Sequence, residues 1–223
     1  MNRTAHRPVQ TALASLACEF NLRPDNYIHA TWLRQTWPGD RGEPARLGAR
    51  GRTALARVLS RRYGLDEATH FDFSHEEYRL ALLPPAVLMR LGDDCGLCLH
   101  RESLREAGGR RLQRTLNDTF GEATLAFVMQ RVPPFDAIAE SVEPLRQYPE
   151  RAAARIRERG ARLVLDFLAP AGKALLDRLQ LKFPFGVAAQ PPYLLNGMQR
   201  QQVSELIFLC LIPERLGEWD WLF

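Results

Sequence analysis

Apolar residues recur every three or four positions along most of the chain, in segments that glycine and proline separate. Residues 11–20 show this spacing and predict a first helix, and residues 25–36 predict a shorter one that Trp37-Pro38 ends. Residues 53–63 repeat the pattern before Gly64, a residue type that often ends helices in the left-handed conformation. The amino-terminal part of the chain is therefore expected to form short amphipathic helices.

The helical pattern continues through the middle of the chain. Residues 74–77, Ser-His-Glu-Glu, have the spacing of a capping box, which predicts a helix through Leu83. Pro84-Pro85 predicts the start of the next helix, because proline is tolerated in a first turn. We expect that helix to run to Ala107, with Gly108-Gly109 as its stop.

Three further helices are predicted in the second half of the chain. Residues 111–120 and 122–130 form two of them, separated near Gly121, and Pro133-Pro134 closes this block. Residues 149–168 are the longest periodic stretch. Its inward positions are expected to be Ile156, Leu163, Val164 and Phe167.

The carboxyl-terminal region is less uniform. Residues 179–183 alternate between apolar and polar as a half-buried strand does, yet they follow the helical spacing of Leu175, Leu176 and Leu179. A last helix is predicted over residues 199–211. The expected fold class is therefore mainly α: a compact irregular helical domain of about eight to ten helices, with at most one or two short strands.

Residues 38–52 interrupt this pattern. They are rich in glycine, proline and arginine with almost no apolar anchor, so we expect an exposed loop at about 38–52 and the most mobile segment of the chain. The chain has 223 residues and is 46% hydrophobic, enough to bury one sizeable core, although two small subdomains also fit this length. A single domain over residues 1–223 is the prediction.

Composition indicates the cellular compartment more clearly than the partner. The longest apolar run, Leu206–Ile212, is too short to cross a membrane, and residues 1–10 lack the apolar core of a signal peptide. Four scattered cysteines are too sparse for a disulfide framework, so a cytoplasmic protein is expected. The net charge of +4 arises almost entirely from arginine, since Lys173 and Lys182 are the only lysines, and it identifies no partner by itself.

Cys95-Gly96-Leu97-Cys98 has the spacing of a redox pair or of half a zinc site. No second cysteine pair and no preceding βαβ pattern accompany it. Both cysteines share a helical face with Leu88, Leu91 and Leu99, which favours buried cysteines that act as small hydrophobic residues.

A second cluster, in residues 70–77, combines two imidazoles with three carboxylates and is compatible with a divalent metal. Its acidic residues Glu76 and Glu77 also fit the start of a helix, where they complement the dipole. We prefer this capping interpretation to metal binding.

Four arginines fall near one helical stripe and could clamp phosphate or an acidic partner: Arg151, Arg155, Arg159 and Arg162. A solvated face is the preferred interpretation, because Glu158 and Asp166 each lie four residues from Arg162 and can pair with it.

No nucleophile elbow, phosphate-binding loop or dinucleotide fingerprint occurs in the sequence. We therefore predict a protein that is not an enzyme, with no catalytic, cofactor-binding or metal-ligating residue and no cofactor. Of the four tryptophans, Trp32 and Trp37 are expected in the core, and Trp219 and Trp221 at an interface.

Several short segments resemble the YscK/SctK family, accessory proteins of bacterial type III secretion systems. Residues 20–23 (Phe-Asn-Leu-Arg), then Tyr27-Ile28-His29 and Leu33, are similar to the family's opening. Residues 97–105 resemble its helix with a histidine and an acidic-aliphatic-arginine run. Two later segments are also similar: residues 179–184, and the closing helix 206–212 with Leu222-Phe223. Residues 38–72 have no counterpart in this pattern.

The resemblance implies a mainly helical fold and a non-enzymatic adaptor of the secretion sorting platform. Such a protein links a pod protein of the SctQ type to the cytosolic face of an inner-membrane ring protein of the SctD type, is required for secretion, and touches the membrane only through protein contacts. The alternative is a helical nucleic-acid-binding regulator that uses the arginines of residues 50–62 or 151–162.

Overall fold

The computed structural model describes residues 6–37, 44–107, 109–135, 138, 140–141 and 143–223. Within these residues the chain forms thirteen α-helices and no β-strand, so the mainly α fold class is confirmed. In chain order the α-helices are α1 (His6–Leu22), α2 (Ala30–Thr36), α3 (Ala49–Arg62), α4 (Pro85–Leu99), α5 (Arg101–Ala107), α6 (Arg110–Phe120), α7 (Glu122–Gln130), α8 (Glu143–Gln147), α9 (Ala152–Phe167), α10 (Lys173–Leu179), α11 (Phe185–Ala188), α12 (Gly197–Glu205) and α13 (Ile212–Arg215). Short 3₁₀ segments occur at Pro24–Asn26, Pro44–Arg46, Glu76–Leu82, Pro149–Arg151, Ala169–Ala171, Gln180–Lys182 and Gly217–Leu222, and a π-helix, Leu206–Leu211, joins α12 to α13.

Glycine ends helices where the sequence predicts. Gly64, with φ of 64°, follows α3, and Gly121, with φ of 82°, separates α6 from α7. A side chain is strained in this left-handed region, so glycine is the residue that turns the chain there. The four predicted inward positions of α9 are buried as well.

Two predicted helices differ from the structure in their detail. Ser74 does not cap an α-helix: its hydroxyl and its N–H both donate to Asp72, and the following residues form the 3₁₀ segment Glu76–Leu82. The helix from Pro85 does not reach Ala107 unbroken, because the chain turns at the buried His100, whose carbonyl accepts the Leu104 N–H and starts α5.

The loop prediction at about 38–52 fails at its end. Residues 49–52 are the first turn of α3, and residues 44–46 form a 3₁₀ turn. Residues 38–43 lie outside the described residues. The strand considered for residues 179–183 is absent: α10 ends at Leu179 and a 3₁₀ segment follows, so the helical interpretation holds.

Contacts between Cα atoms group the chain into two compact units. The first comprises residues 1–88, 168–188 and 218–223, and the second comprises residues 89–167 and 189–217. The single domain remains a prediction, and each unit is described below by itself.

Aromatic residues organise the core of the first unit. The Phe20 ring stacks on Tyr27 at 5.8 Å between centroids and meets Phe73 edge-on at 5.9 Å. Trp32 is buried, as predicted, and its indole N–H donates to the Phe183 carbonyl at 2.9 Å. Trp37 is only half-buried, so the core prediction fails for that residue.

Two buried cations of the first unit bind backbone carbonyls instead of carboxylates. Arg178, in α10, donates to the carbonyls of Ala174 at 2.9 Å and Leu65 at 2.5 Å. Lys182 Nζ donates to the carbonyls of Ala81 at 2.6 Å and Leu83 at 2.8 Å. Buried donors need hydrogen-bond partners. The bonds to Leu65, Ala81 and Leu83 therefore connect α10 and the residues after it to segments about a hundred residues earlier in the chain.

Glycine allows two helices of the second unit to touch backbone to backbone. Gly92 and Gly96, four residues apart on α4, face Gly160 on α9. A Cβ atom on Gly160 would lie 1.9 Å from the Gly92 carbonyl oxygen, and one on Gly96 would lie 2.1 Å from the Ile156 carbonyl oxygen. No side chain fits between the helices at this crossing.

Candidate interaction surfaces

An open groove of about 610 Å³ lies within the second unit. One wall of the groove is the end of α7 and the proline segment that follows it. The other wall is the outer side of the π-helix and the helical turns next to it. Its apolar lining consists of Phe127, Pro133, Pro134, Phe135, Leu206, Leu209 and Cys210. A groove with this lining has the character of a protein-binding surface.

Exposed large apolar side chains continue from this groove along the helix that forms it. Leu209 is 76% exposed, and on α12 Met198 is 74% exposed. Leu194, just before α12, is 90% exposed. Several large apolar side chains exposed along one segment are typical of interaction sites on folded domains, whereas a single exposed leucine is not.

The π-helix accounts for the exposure of Leu209. Leu206 and Ile207 are buried, and so are Leu211 and Ile212 five residues later, which is the repeat of a π-turn. Between these pairs Leu209 is exposed, and Phe208 and Cys210 are half-buried. Pro213 explains why the helix adopts the π-turn here. It has no N–H to donate to the Leu209 carbonyl four residues earlier, and its ring disfavours regular α-helical geometry at that point.

Ion pairs fix the end of this helix and border the groove. Arg131 donates to Glu214 at 2.8 Å, in an exposed pair at the rim. Arg215 contacts the buried Asp94 at 3.2 Å and donates to the Thr124 hydroxyl at 2.8 Å. Burial raises the pKa of Asp94 although Arg215 opposes that shift. The rim pair contributes little to stability, whereas the second pair anchors α13.

A second surface, in the first unit, is basic. From residue 44 to residue 65 the chain carries six arginines and no acidic residue. Five of them lie on α3 and are exposed: Arg50, Arg52, Arg57, Arg61 and Arg62. Within the part of the chain that the structure describes, none of these five is in an ion pair.

The sequence matches the family model of a bacterial type III secretion protein (HrpB4) over residues 6–194. This match covers most of the chain and both units in part. The chain belongs to this family. Comparisons with curated proteins and with solved structures gave no match.

Family membership agrees with the resemblance to YscK/SctK-type secretion proteins and extends it. The matched range includes residues 38–72, for which the short motifs had no counterpart, and it ends before the groove-forming helix and the carboxyl-terminal tail. In the described residues no helix combines the length and apolarity that crossing a membrane requires.

In this secretion protein the arginine stripe of α9 divides into two parts. Arg151 and Arg155 are exposed, as the solvated-face interpretation predicts. Arg162 donates to Asp166 at 2.8 Å, also as predicted, but Glu158 accepts a hydrogen bond from Gln190 instead.

Arg159 contradicts the solvated-face interpretation. Its side chain is buried, and its Nε donates to Glu140 at 2.7 Å. The guanidinium also donates to the Pro191 carbonyl at 2.6 Å and stacks over the Tyr193 ring at 4.0 Å. Residues distant in sequence supply all three contacts. Helical periodicity alone therefore could not predict the burial of Arg159.

Cys95 and Cys98 are completely buried on α4, as the helical face predicts. Burial raises the pKa of both thiols, so neither has the thiolate character of a reactive cysteine. The small-hydrophobic interpretation is confirmed for their packing.

The two imidazoles of the His70–Glu77 cluster lie against one aromatic ring. The His70 and His75 rings both pack against Tyr78, with ring centroids 5.7 and 5.1 Å from its own. The His70 backbone is held by Asn21, which accepts from its N–H at 2.8 Å and donates to its carbonyl at 2.6 Å. Among the described residues no group of three potential metal ligands occurs.

At the carboxyl end, Trp219 is half-buried and Trp221 is 42% exposed, and their interface role stays a prediction.

Proposed function

We propose that this type III secretion protein is a non-enzymatic adaptor of the sorting platform. It links a pod protein of the SctQ type to a ring protein of the SctD type at the cytosolic face of the inner membrane. The observation that carries the proposal is the apolar groove of the second unit, because an exposed surface of this character calls for a protein partner.

Two further observations support an adaptor. A linker between two proteins needs two separate surfaces, and the chain presents an apolar groove in one unit and a basic helix face in the other. The two surfaces differ in chemistry, so they suit different partners.

A bridging experiment tests the proposal directly. The cytosolic domain of the ring protein is immobilised, and the purified pod protein is passed over it with and without this chain. We expect the pod protein to be retained only when the chain is present. Retention that is equal in both cases, or absent in both, would contradict the adaptor role.

Acidic residues at Leu209, in the groove, and at Met198, on the helix α12 that lines it, should weaken one of the two interactions. In the double variant L209E/M198E the new carboxylates would be desolvated by an apolar partner, so we expect binding to one partner to weaken by at least about 2 kcal/mol. Both side chains are exposed, so the thermal unfolding midpoint should stay near the wild-type value.

The matched control is L22E, since Leu22 is 58% exposed on α1 and lies outside the groove. Calorimetric titration of each variant with each partner measures the effect. If L209E/M198E bound both partners as tightly as L22E does, the groove would have no part in assembly.

A further inference from the structure

We propose that the exposed arginine face of α3 binds an acidic surface on one of the adaptor's two protein partners, an inference that rests on the proposed function. The face is defined by Arg50, Arg57 and Arg61. These residues belong to the first unit and those of the apolar groove to the second, so the two surfaces share no residue.

Helical geometry puts these three arginines in one line. At 3.6 residues per turn their positions fall within about 40° of one another, over about 16 Å of helix. Leu55 and Leu59 are buried on the opposite side of α3, so the arginine line points away from the core. A linear array of guanidinium groups matches a row of carboxylates, which arginine binds in bidentate fashion.

Folding of α3 gives no reason for arginine at the amino end of this face. Arg50 and Arg52 lie in the first turn, where the helix dipole favours acidic residues and disfavours cations. The cap residue Gly48 adds no side-chain hydrogen bond. By contrast, Arg131, Arg159 and Arg215 each contact a carboxylate of the chain itself. Positive charge that helix stability opposes is best explained by an anionic partner.

The residues between the arginines favour a protein over a membrane or a nucleic acid. Ala54 is exposed between Arg50 and Arg57, and its small side chain leaves room for close approach of another backbone. A membrane-binding helix needs bulky apolar residues to insert, but Val58 is the one large apolar side chain that α3 exposes. Apart from the arginines themselves, no asparagine, glutamine or lysine that could add base contacts lies on the helix.

Charge reversal on the full chain tests the inference. The variant R50E/R57E/R61E is compared with R114E/R146E/R155E, which makes the same change in net charge at three exposed arginines of the second unit. Each is titrated calorimetrically against the purified pod protein and against the cytosolic domain of the ring protein. We expect the first variant to weaken binding to one partner by about tenfold or more, with a smaller dependence on salt, and the second variant to bind as the wild type does.

The neutral variant R50Q/R57Q/R61Q controls for a folding defect caused by the charge reversal. We expect it to bind the same partner more weakly than the wild type does, with an unchanged circular dichroism spectrum. If the wild type binds a partner and both α3 variants bind it equally well, the inference is overturned while the adaptor role stands. If the wild type binds neither partner, the adaptor role fails and the inference fails with it. If the α3 variants bind both proteins as the wild type does but lose binding to anionic vesicles or to duplex DNA, the inference is also overturned. That result would identify the arginine face as a lipid-binding or nucleic-acid-binding surface.

Discussion

Replacing Gly160 with alanine should destabilise the second unit by about 3 kcal/mol or more, because the added methyl group meets the backbone of α4 at two residues. It would lie 1.9 Å from the Gly92 carbonyl oxygen and 2.4 Å from the Gly96 nitrogen. Neither atom can move by a side-chain rotation, so α4 and α9 must separate. Separation would open the core around the buried Cys95 and Ile156.

The measurement is denaturant unfolding followed by circular dichroism, with two companion variants. G197A is the matched control in the same unit, since a Cβ atom there meets nothing within 4 Å. G92A should fall between the two, because its nearest neighbour is the Ala161 backbone at 3.3 Å. Equal unfolding midpoints for G160A and G197A would show that the helices do not cross as closely as described.

Helix positions were largely predictable from the sequence, because local signals decide them. Gly64 and Gly121 end helices through their own backbone freedom, and the buried side of α9 follows from spacing alone. The capping box at Ser74 failed for a local reason as well: Asp72, two residues earlier, competes for the serine hydroxyl and N–H. A capping motif with an aspartate just before it is therefore a weaker signal than the motif alone.

The interaction surfaces were much harder to predict. Exposure of Leu209 depends on the π-turn, which shifts the helix register, and the available signal was Pro213 within an apolar helical run. The close crossing of α4 and α9 had a clearer signal in the spacing of Gly92 and Gly96, which sequence analysis did not use. The sequence shows the arginines of α3, but only the fold shows that none of the five exposed ones forms an ion pair with another described residue.

Lys182 shows how a local pattern can mislead. Residues 179–183 alternate as a half-buried strand does, and the polar positions of such a strand face solvent. In the 3₁₀ turn after α10 the lysine is instead fully enclosed, with its Nζ 5.3 Å from the Phe20 ring centroid and 5.1 Å from that of Tyr27. Burial lowers the pKa of Lys182 to about 7.

This burial predicts that the wild type gains stability, relative to the variant K182M, as the pH rises from 7 to 10. In the unfolded chain the lysine keeps its ordinary pKa of 10.5, so below pH 7 both states carry the charge and the folded state bears the full desolvation penalty. Between pH 7 and pH 10.5 the unfolded state binds more protons than the folded state. Stability therefore rises with pH by at most about 1.4 kcal/mol per pH unit, and by about 3.5 kcal/mol between pH 7 and pH 10.

The difference in stability between the wild type and K182M cancels the titrations of other groups, because the neighbouring Glu19, Tyr27 and Arg178 are common to both proteins. Methionine is a suitable replacement, since it has a similar length and no charge. K173M is the matched control, since Lys173 is exposed and paired with Asp177. Its difference from the wild type should stay nearly constant up to pH 10. A constant difference for K182M too would mean that the carbonyls of Ala81 and Leu83 hold Lys182 as an ammonium ion, with their dipoles offsetting its desolvation.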